Sequence, residues 1–458
     1  MMASSGRPRF EGLDLSRLPD PLRVPGDRFR GGRIAPPPSK SYSHRALNLA
    51  WLGGAPLRVL NLLDAEDTSL FRSALVAAGW SVEVLDRRIG AIDLDLRPPE
   101  PDARPPRVRI DCGNAGTMFR FLAATLTVVA GRFELDGTPR LRERPIGPLI
   151  DALRQLGARI EYLGDAGFAP LAIEGSSLVG GRCSLDAGSS SQFLSALLMA
   201  GAFSPRPIEV ELRALTSRPY VEVTCDAMAR QGASTPVATA DGWRTPGAQA
   251  PRVPAGVVQV EADDSAVPYP AAAAMISGCP VELAGLRRDS IQGDRGFLDL
   301  LSRMGGELEW LAADDGSGEV LRVGGRVRSA ISVDMSSMPD QVPTLAALAA
   351  FAPGRTEIRG AAHLRIKESD RLEAMATELC KVGVVVEERA DGLVIEGDPA
   401  RSRRWPAAEA VHIDPRSDHR IAMSLALVGL RREELWIEDP ATVAKSYPAF
   451  WQQLFGLG

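Results

Sequence analysis

The sequence predicts an α/β chain of two domains, each built from three repeated units. Three observations carry this. Polar residues open apolar, helix-length runs at Lys40, Asn114, Ser190, Ser265, Asp340 and Asp418, at intervals of roughly 75 residues, longer than a solenoid unit. Between openings the same order returns: a second helix stopped by glycine, then a strand. Three units fall before about residue 258 and three after it. Six copies of one α/β unit need a closed or paired arrangement to bury their apolar helices. We therefore expect one domain from residues 38–258 and a second, discontinuous one from 1–37 and 259–458.

Taken in order, Leu22 to Ile34 reads as an extended segment that ends at Pro36-Pro37-Pro38. Lys40-Ser41-Tyr42-Ser43-His44-Arg45 then crowds the start of the run Ala46 to Leu52, which Gly53-Gly54 ends. Asp67 to Ala78 is a helix and Ser81 to Leu85 a strand. Residues 97–107 are a Pro-rich turn. Val108 to Asp111 is a strand, and Cys112 to Arg120 opens an apolar helix to about Val129. The pattern repeats with a helix from Pro145 to Leu156, a strand from Arg159 to Tyr162, and Ser189 to Gln192 opening Phe193 to Ala202. Pro219 to Arg230 is the next helix, and 245–256 is an Ala/Gly/Pro-rich loop.

Pro36 to Pro38 and Val258 to Asp263 are expected as the two crossing strands between domains. Ser265 opens the run to Ile276, Gly296 to Met304 is a helix, and Glu307 to Trp310 a strand. Pro339-Asp340-Gln341 opens the run to Phe351. Ser369 to Lys381 is a helix, and Val384 to Glu387 a strand that turns at Asp391-Gly392. Asp418-His419-Arg420 opens the run to Leu430, and Tyr447 to Phe455 is the last helix.

Composition narrows the function. A net charge of −5 argues against bulk nucleic-acid binding but leaves room for a local basic pocket. Five cysteines, an odd number with no C-x-x-C pair, argue against a disulfide framework or structural zinc and for a reducing compartment. Met1 to Asp20 holds no apolar core of signal-peptide length, and no run approaches membrane-spanning length, so a cytoplasmic protein is expected. Four histidines without ligand spacing predict no metal. No G-x-x-x-x-G-K-[ST] loop and no G-x-G-x-x-G after a strand predict no nucleotide cofactor.

The openings carry more than helix caps. Lys40 and Arg45 stand at the first, Asn114, Gly116, Thr117 and Arg120 at the second, Ser190, Ser191 and Gln192 at the third, and His419 and Arg420 at the sixth. Cations beside the positive end of a helix are unfavourable unless an anion sits there. Arg142, Arg144, Ser217-Arg218, Lys445 and the cluster His363 to Arg371 add further charge. If the domains face each other, several helix N-termini converge on a cleft suited to a polyanion. Asp340 and Glu368 stand out. A carboxylate in a cationic, anion-binding cleft is more easily explained by proton transfer than by binding, although Asp340 also reads as a helix cap and Glu368 as half of a surface ion pair.

Lys40-Ser-Tyr-Ser-His-Arg45, Asn114-Ala-Gly-Thr117, Arg142-Glu-Arg-Pro145, Ser190-Ser-Gln-Phe-Leu194, Ser217-Arg-Pro-Tyr220, Lys367-Glu-Ser-Asp-Arg371, Asp418-His-Arg420 and Lys445-Ser-Tyr-Pro448 together resemble the 5-enolpyruvylshikimate-3-phosphate synthase family. The match runs in order from about residue 22 to the C-terminus. The resemblance implies a two-domain inside-out α/β barrel with three βαβαββ units per domain. It also implies transfer of the enolpyruvyl group of phosphoenolpyruvate to the 5-hydroxyl of shikimate 3-phosphate, by addition and elimination, with no cofactor. By motif match, Lys40, Gly116, Arg144, Gln192, Arg371, Arg420 and Lys445 would hold phosphoenolpyruvate. Lys40, Ser41, Arg45, Ser190, Ser191, Gln192, Ser217, Asp340, His363 and Lys367 would hold shikimate 3-phosphate. Asp340 would take the hydroxyl proton and Glu368 deliver one to the methylene carbon, with Lys445, His419 and Lys40 assisting. The expected partners are these two small molecules, with no nucleic acid, no membrane and a monomeric chain.

The chain departs from the family pattern at Pro37-Pro38, usually Pro-Gly, and at His363, usually Asn. It also departs at Gln341-Val342-Pro343 and at Asp264-Ser265-Ala266-Val267-Pro268. Two other readings compete. A sibling family acting on a UDP-sugar usually has a loop cysteine, which this chain lacks in a comparable Gly/Arg-rich loop. A silent anion binder has no need of Asp340 and Glu368.

Overall fold

The computed structural model describes residues 9–10, 13–103, 107–247, 256–313, 318–402, 405 and 409–456. The chain divides into two compact units. One comprises Met1–Pro38, Arg88–Gly90 and Glu261–Gly458; the other comprises Ser39–Arg87 and Ala91–Val260.

Among the described residues, a one-turn helix at Pro139–Arg142 aside, twelve helices alternate between two kinds. α1 (Lys40–Gly53), α3 (Gly116–Thr125), α5 (Ser191–Gly201), α7 (Pro268–Ser277), α9 (Val342–Ala349) and α11 (His419–Val428) are buried nearly all round. Their Ala, Leu and Val content leaves no polar face, so they form the centre of each unit. Within one unit α3 packs on α1 and α5; within the other α9 packs on α7 and α11. α2 (Glu66–Ala77), α4 (Gly147–Gln155), α6 (Pro219–Arg230), α8 (Phe297–Arg303), α10 (Arg371–Lys381) and α12 (Phe450–Phe455) mix buried with more exposed positions.

Six small sheets share one topology. In the sheet whose first two strands flank α3, Arg107–Asp111 runs parallel to Arg132–Asp136, which pairs antiparallel with Leu171–Glu174, and that with Arg159–Tyr162. The same parallel pair and antiparallel extension recur in the other five. In the sixth, Val411–Ile413 and Leu435–Ile437 are parallel, and the antiparallel third strand is Leu22–Arg23 from the start of the chain. That segment lies so close that a Cβ on Gly26 would overlap the Gly429 carbonyl oxygen.

Several expectations need correction. Pro36 to Pro38 is not a strand, because proline has no N–H to give a ladder. Only Pro38 pairs with Ala262, in an isolated bridge, while Asp263 N–H donates to the Pro37 carbonyl at 2.8 Å. Of the expected strand Val258 to Asp263 only Val258 and Gln259 are strand, within Val257–Gln259, which runs parallel to Leu57–Leu63. α7 begins at Pro268 rather than Ser265, since proline suits a first helical turn. The last helix begins at Phe450 rather than Tyr447, and a 3-10 turn, Pro440–Lys445, precedes it. In the expected turn 97–107 a short 3-10 turn, Pro101–Ala103, is found, and residues 104–106 lie outside the described residues. So do 248–255 of the expected loop. Among the described residues no helix is long and apolar enough to cross a membrane.

Candidate active site

In the unit of α1 to α6, the helix openings gather donors. Ser39 caps α1, its hydroxyl accepting from Tyr42 N–H at 3.4 Å. Lys40 follows in a first turn with no acidic residue, and its Nζ stands 3.5 Å from Asp67 Oδ2. Arg45 is buried on the same helix. Its Nε donates to Thr224 Oγ1 (2.9 Å), Nη1 to the Ser41 carbonyl (2.9 Å) and Nη2 to the Tyr220 carbonyl (2.7 Å). Burial brings its pKa down to about 10, which leaves it charged at neutral pH.

α3 opens at Gly116 with no side-chain cap. Two guanidiniums stand against that positive end instead. A Cβ on Gly116 would lie 2.7 Å from Arg144 Cζ and 2.6 Å from Arg120 Nη1. Arg144 Nη1 is 3.4 Å from the Asn114 carbonyl oxygen and 3.5 Å from Asn114 Oδ1. α5 opens beside it. The Ser190 hydroxyl accepts from Gln192 N–H (3.3 Å), Ser191 is buried, and Gln192 Nε2 donates to Thr117 Oγ1 on α3 (2.9 Å). Ser217, before α6, is buried with a φ of +51°, a strained value for a residue with a Cβ.

The other unit is organised around Arg371, the first residue of α10 and 2% exposed. Its Nε meets Asp418 Oδ2 at 2.7 Å, Nη1 meets Asp340 Oδ1 at 2.9 Å, and Nη2 meets Glu368 Oε2 at 2.9 Å. Arg420 Nη2 holds the other Asp340 oxygen at 2.9 Å. Burial by itself weakens Arg371's hold on its proton, but Asp418, Glu368 and Asp340 outweigh it and raise the pKa. Burial pushes Asp340 up, but Arg420, Arg371 and Lys367 outweigh it and hold the carboxyl well below the usual carboxylate range. Asp418, fully buried, caps α11 by accepting from Arg420 N–H (3.0 Å) and also accepts from Ser369 Oγ (3.1 Å). His419 Nδ1 stands 3.6 Å from Asp418 Oδ1, and Arg420 Nη1 reaches the Tyr269 hydroxyl at 3.4 Å. Lys445 is buried at the end of the 3-10 turn that packs on α11. His363 lies in the 3-10 turn Ala362–Ile366, just before Lys367; burial first, then the Lys367 charge, bring its pKa down to about 4, so its ring is neutral.

The residues singled out in the sequence thus fall into linked sets. Asp340, Glu368, Arg371 and Arg420 touch directly, Gly116, Arg144 and Gln192 surround the start of α3, and Ser41 shares a hydrogen bond with Arg45. Asp340 does not cap a helix: it lies in the 3-10 turn Pro339–Gln341 and binds arginines. Glu368 is no surface ion pair, since its partner is buried. Asp418 and Tyr269 join the site although neither is among the residues expected from the sequence. Asp418 reads as an ordinary N-cap, and its bond to Arg371 spans 47 positions that spacing does not reveal.

A model of the family described as EPSP synthase (3-phosphoshikimate 1-carboxyvinyltransferase) matches residues 26–454. A 3-phosphoshikimate 1-carboxyvinyltransferase of Syntrophobacter fumaroxidans is 42% identical over 421 residues, 92% of this chain and 95% of that one. Its counterpart in Bordetella petrii is 40% identical over 452 residues, 95% of this chain and 96% of that one. Among solved structures, EPSP synthase from Acinetobacter baumannii superposes with a TM-score of 0.72 at 26% identity, covering 94% of this chain and 96% of that one. The enolpyruvyl transferase NikO from Streptomyces tendae shares the fold, with a TM-score of 0.72 at 19% identity, covering 94% and 95%.

Proposed function

The chain belongs to the EPSP synthase family and is an enolpyruvyl transferase of the shikimate pathway, and we propose the following division of that reaction among its residues. Lys40, Gly116, Arg144, Gln192, Arg371, Arg420 and Lys445 hold phosphoenolpyruvate. Ser41, Arg45, Ser190, Ser191, Ser217, His363 and Lys367 hold shikimate 3-phosphate, with Lys40, Gln192 and Asp340 also reaching it. Both substrates are polyanions, so the cations offset their repulsion and fix the reacting geometry. Asp340 takes the proton of the attacking 5-hydroxyl, and Glu368 protonates the methylene carbon. Addition gives a tetrahedral intermediate; loss of phosphate, with one proton of the new methyl group returning to Glu368, re-forms the double bond and completes the transfer. Lys445 and His419 assist from α11 and the turn packed on it. The reactants are small diffusible anions, which fits a monomer working in the cytoplasm.

The observation that supports this reading is the chain Glu368–Arg371–Asp340–Arg420, in which one guanidinium joins two carboxylates. Clamped by two arginines, Asp340 is a weak base. An incoming carboxylate or phosphate that takes over Arg371 and Arg420 releases it and restores its basicity. The base is then ready when the donor substrate is in place. Supplying the two substrates separately and together tests the reading: inorganic phosphate should appear only with both. Release from phosphoenolpyruvate alone, or none with both, would contradict it.

A further inference from the structure

The N-terminal turns of α3 and α5 are joined by a guanidinium that the division above leaves without a role. Arg120 is 4% exposed. Its Nη1 donates to the Gly116 carbonyl at 3.1 Å and to Gln192 Oε1 at 3.2 Å, and its Nη2 donates to the Pro145 carbonyl at 3.4 Å. The charge sits over the Phe193 ring, with Cζ 5.5 Å from the centroid, so the group is held on α5 as well as on α3. A carboxamide can present either its oxygen or its NH2 to a given neighbour, but a guanidinium only donates. Arg120 therefore accepts one orientation of Gln192, with the oxygen turned inward. The NH2 must face the other way, and there Nε2 donates to Thr117 Oγ1 at 2.9 Å. That uses one of its two N–H bonds.

We propose that Arg120 is a positioning residue that locks the Gln192 carboxamide with its donors toward the phosphoenolpyruvate anion. The proposal rests on the assignment of Gln192 to that substrate. With Arg120 replaced by an apolar side chain, the carboxamide is free to turn, and its oxygen then opposes a negatively charged ligand. The effect falls mainly on phosphoenolpyruvate binding and acts through the Gln192 carboxamide.

Steady-state phosphate release, with phosphoenolpyruvate varied at saturating shikimate 3-phosphate, tests this on Arg120→Met, Gln192→Met and the double variant. Each single change should raise KM for phosphoenolpyruvate about tenfold, and by more than it raises KM for shikimate 3-phosphate, which Gln192 also reaches. The double variant should be no worse than Gln192→Met within about twofold, because the same donor is lost in both. Effects that multiply to about a hundredfold would overturn the proposal, since Arg120 would then act independently of Gln192. So would an unchanged KM in Arg120→Met. Gln192→Glu keeps an oxygen for Arg120, and so preserves the bond that joins the helices, but has no N–H to offer. It should raise KM for phosphoenolpyruvate at least as much as Gln192→Met; wild-type affinity in Gln192→Glu would overturn the proposal even if Arg120→Met fails to fold. Absence of two-substrate phosphate release in the unmodified enzyme would instead remove the functional reading beneath it.

Discussion

The buried arginines of the two units' candidate sites are held in opposite ways. The hydrogen bonds described for Arg45, Arg120 and Arg144 end on hydroxyl, carbonyl and carboxamide oxygens. Those of Arg371 and Arg420 end mainly on Asp340, Glu368 and Asp418. Neutral dipoles orient a guanidinium without cancelling its charge; carboxylates orient it and cancel it. The first arrangement suits holding an anion that arrives from solvent. The second suits moving protons, because its acids and bases are already in contact with the groups that set their pKa values.

That contrast can be broken at four places, taken from the largest expected effect to the smallest. Glu368→Gln keeps an oxygen for Arg371 but cannot act as an acid. Its kcat, read as phosphate release, should fall by about 10²- to 10⁴-fold with both KM values little changed. Normal turnover would take protonation of the methylene carbon away from Glu368. Arg371→Met leaves the buried Asp418 and its neighbours without their counter-charge. Urea unfolding should show a loss of about 3–5 kcal/mol. Arg144→Leu, in the other unit, removes bonds to Asn114 of 3.4 and 3.5 Å. Its stability should drop by about 1 kcal/mol or less, while KM for phosphoenolpyruvate rises about tenfold. A stability loss equal to that of Arg371→Met would erase the distinction between the units.

The smallest effect tests a carboxylate for which counter-charge is not enough. Asp264 stands 3.6 Å from Arg295, yet burial pushes its pKa up to about 7 from an ordinary 3.8. A carboxyl with a folded pKa above its unfolded one favours the folded state most when protonated. That contribution is complete below about pH 4 and lost as the pH rises through about 7. Asp264→Asn should therefore melt close to the unmodified protein near pH 4 and about a few degrees above it at pH 8. Melting curves at pH 4, 6 and 8 would show the gap widening; a constant gap would mean that Asp264 titrates alike in both states.

Much of this was legible in the sequence where the physics is local. Apolar runs with polar openings marked all six central helices, and Pro219–Arg230 and Arg159–Tyr162 were found at their observed bounds. Ser190 and Asp418 are caps that any helix start announces. What was not legible depends on distant pairs. Arg120 meets Gln192 across 72 positions, and Arg420 meets Asp340 across 80. The same charge pattern reads equally well as a solvated face. The strand expected at Pro36 to Pro38 failed for a local reason, since three prolines are extended but have no N–H to pair with. The 3-10 turns bearing Asp340 and Lys445 escaped notice because they are too short to show a period.

The strand Leu22–Arg23 has a consequence for how the chain is made. Arg23 bonds to Glu434, 411 positions later, and pairs with Trp436 in a sheet that is incomplete until both strands have left the ribosome. The unit between Ser39 and Val260 has no such wait, so it can mature during translation while its neighbour holds an unpaired first strand. A chain truncated before Leu435 therefore keeps Arg120, Arg144 and Gln192 in a finished scaffold, and strands the acids of Asp340 and Glu368 in an unfinished one.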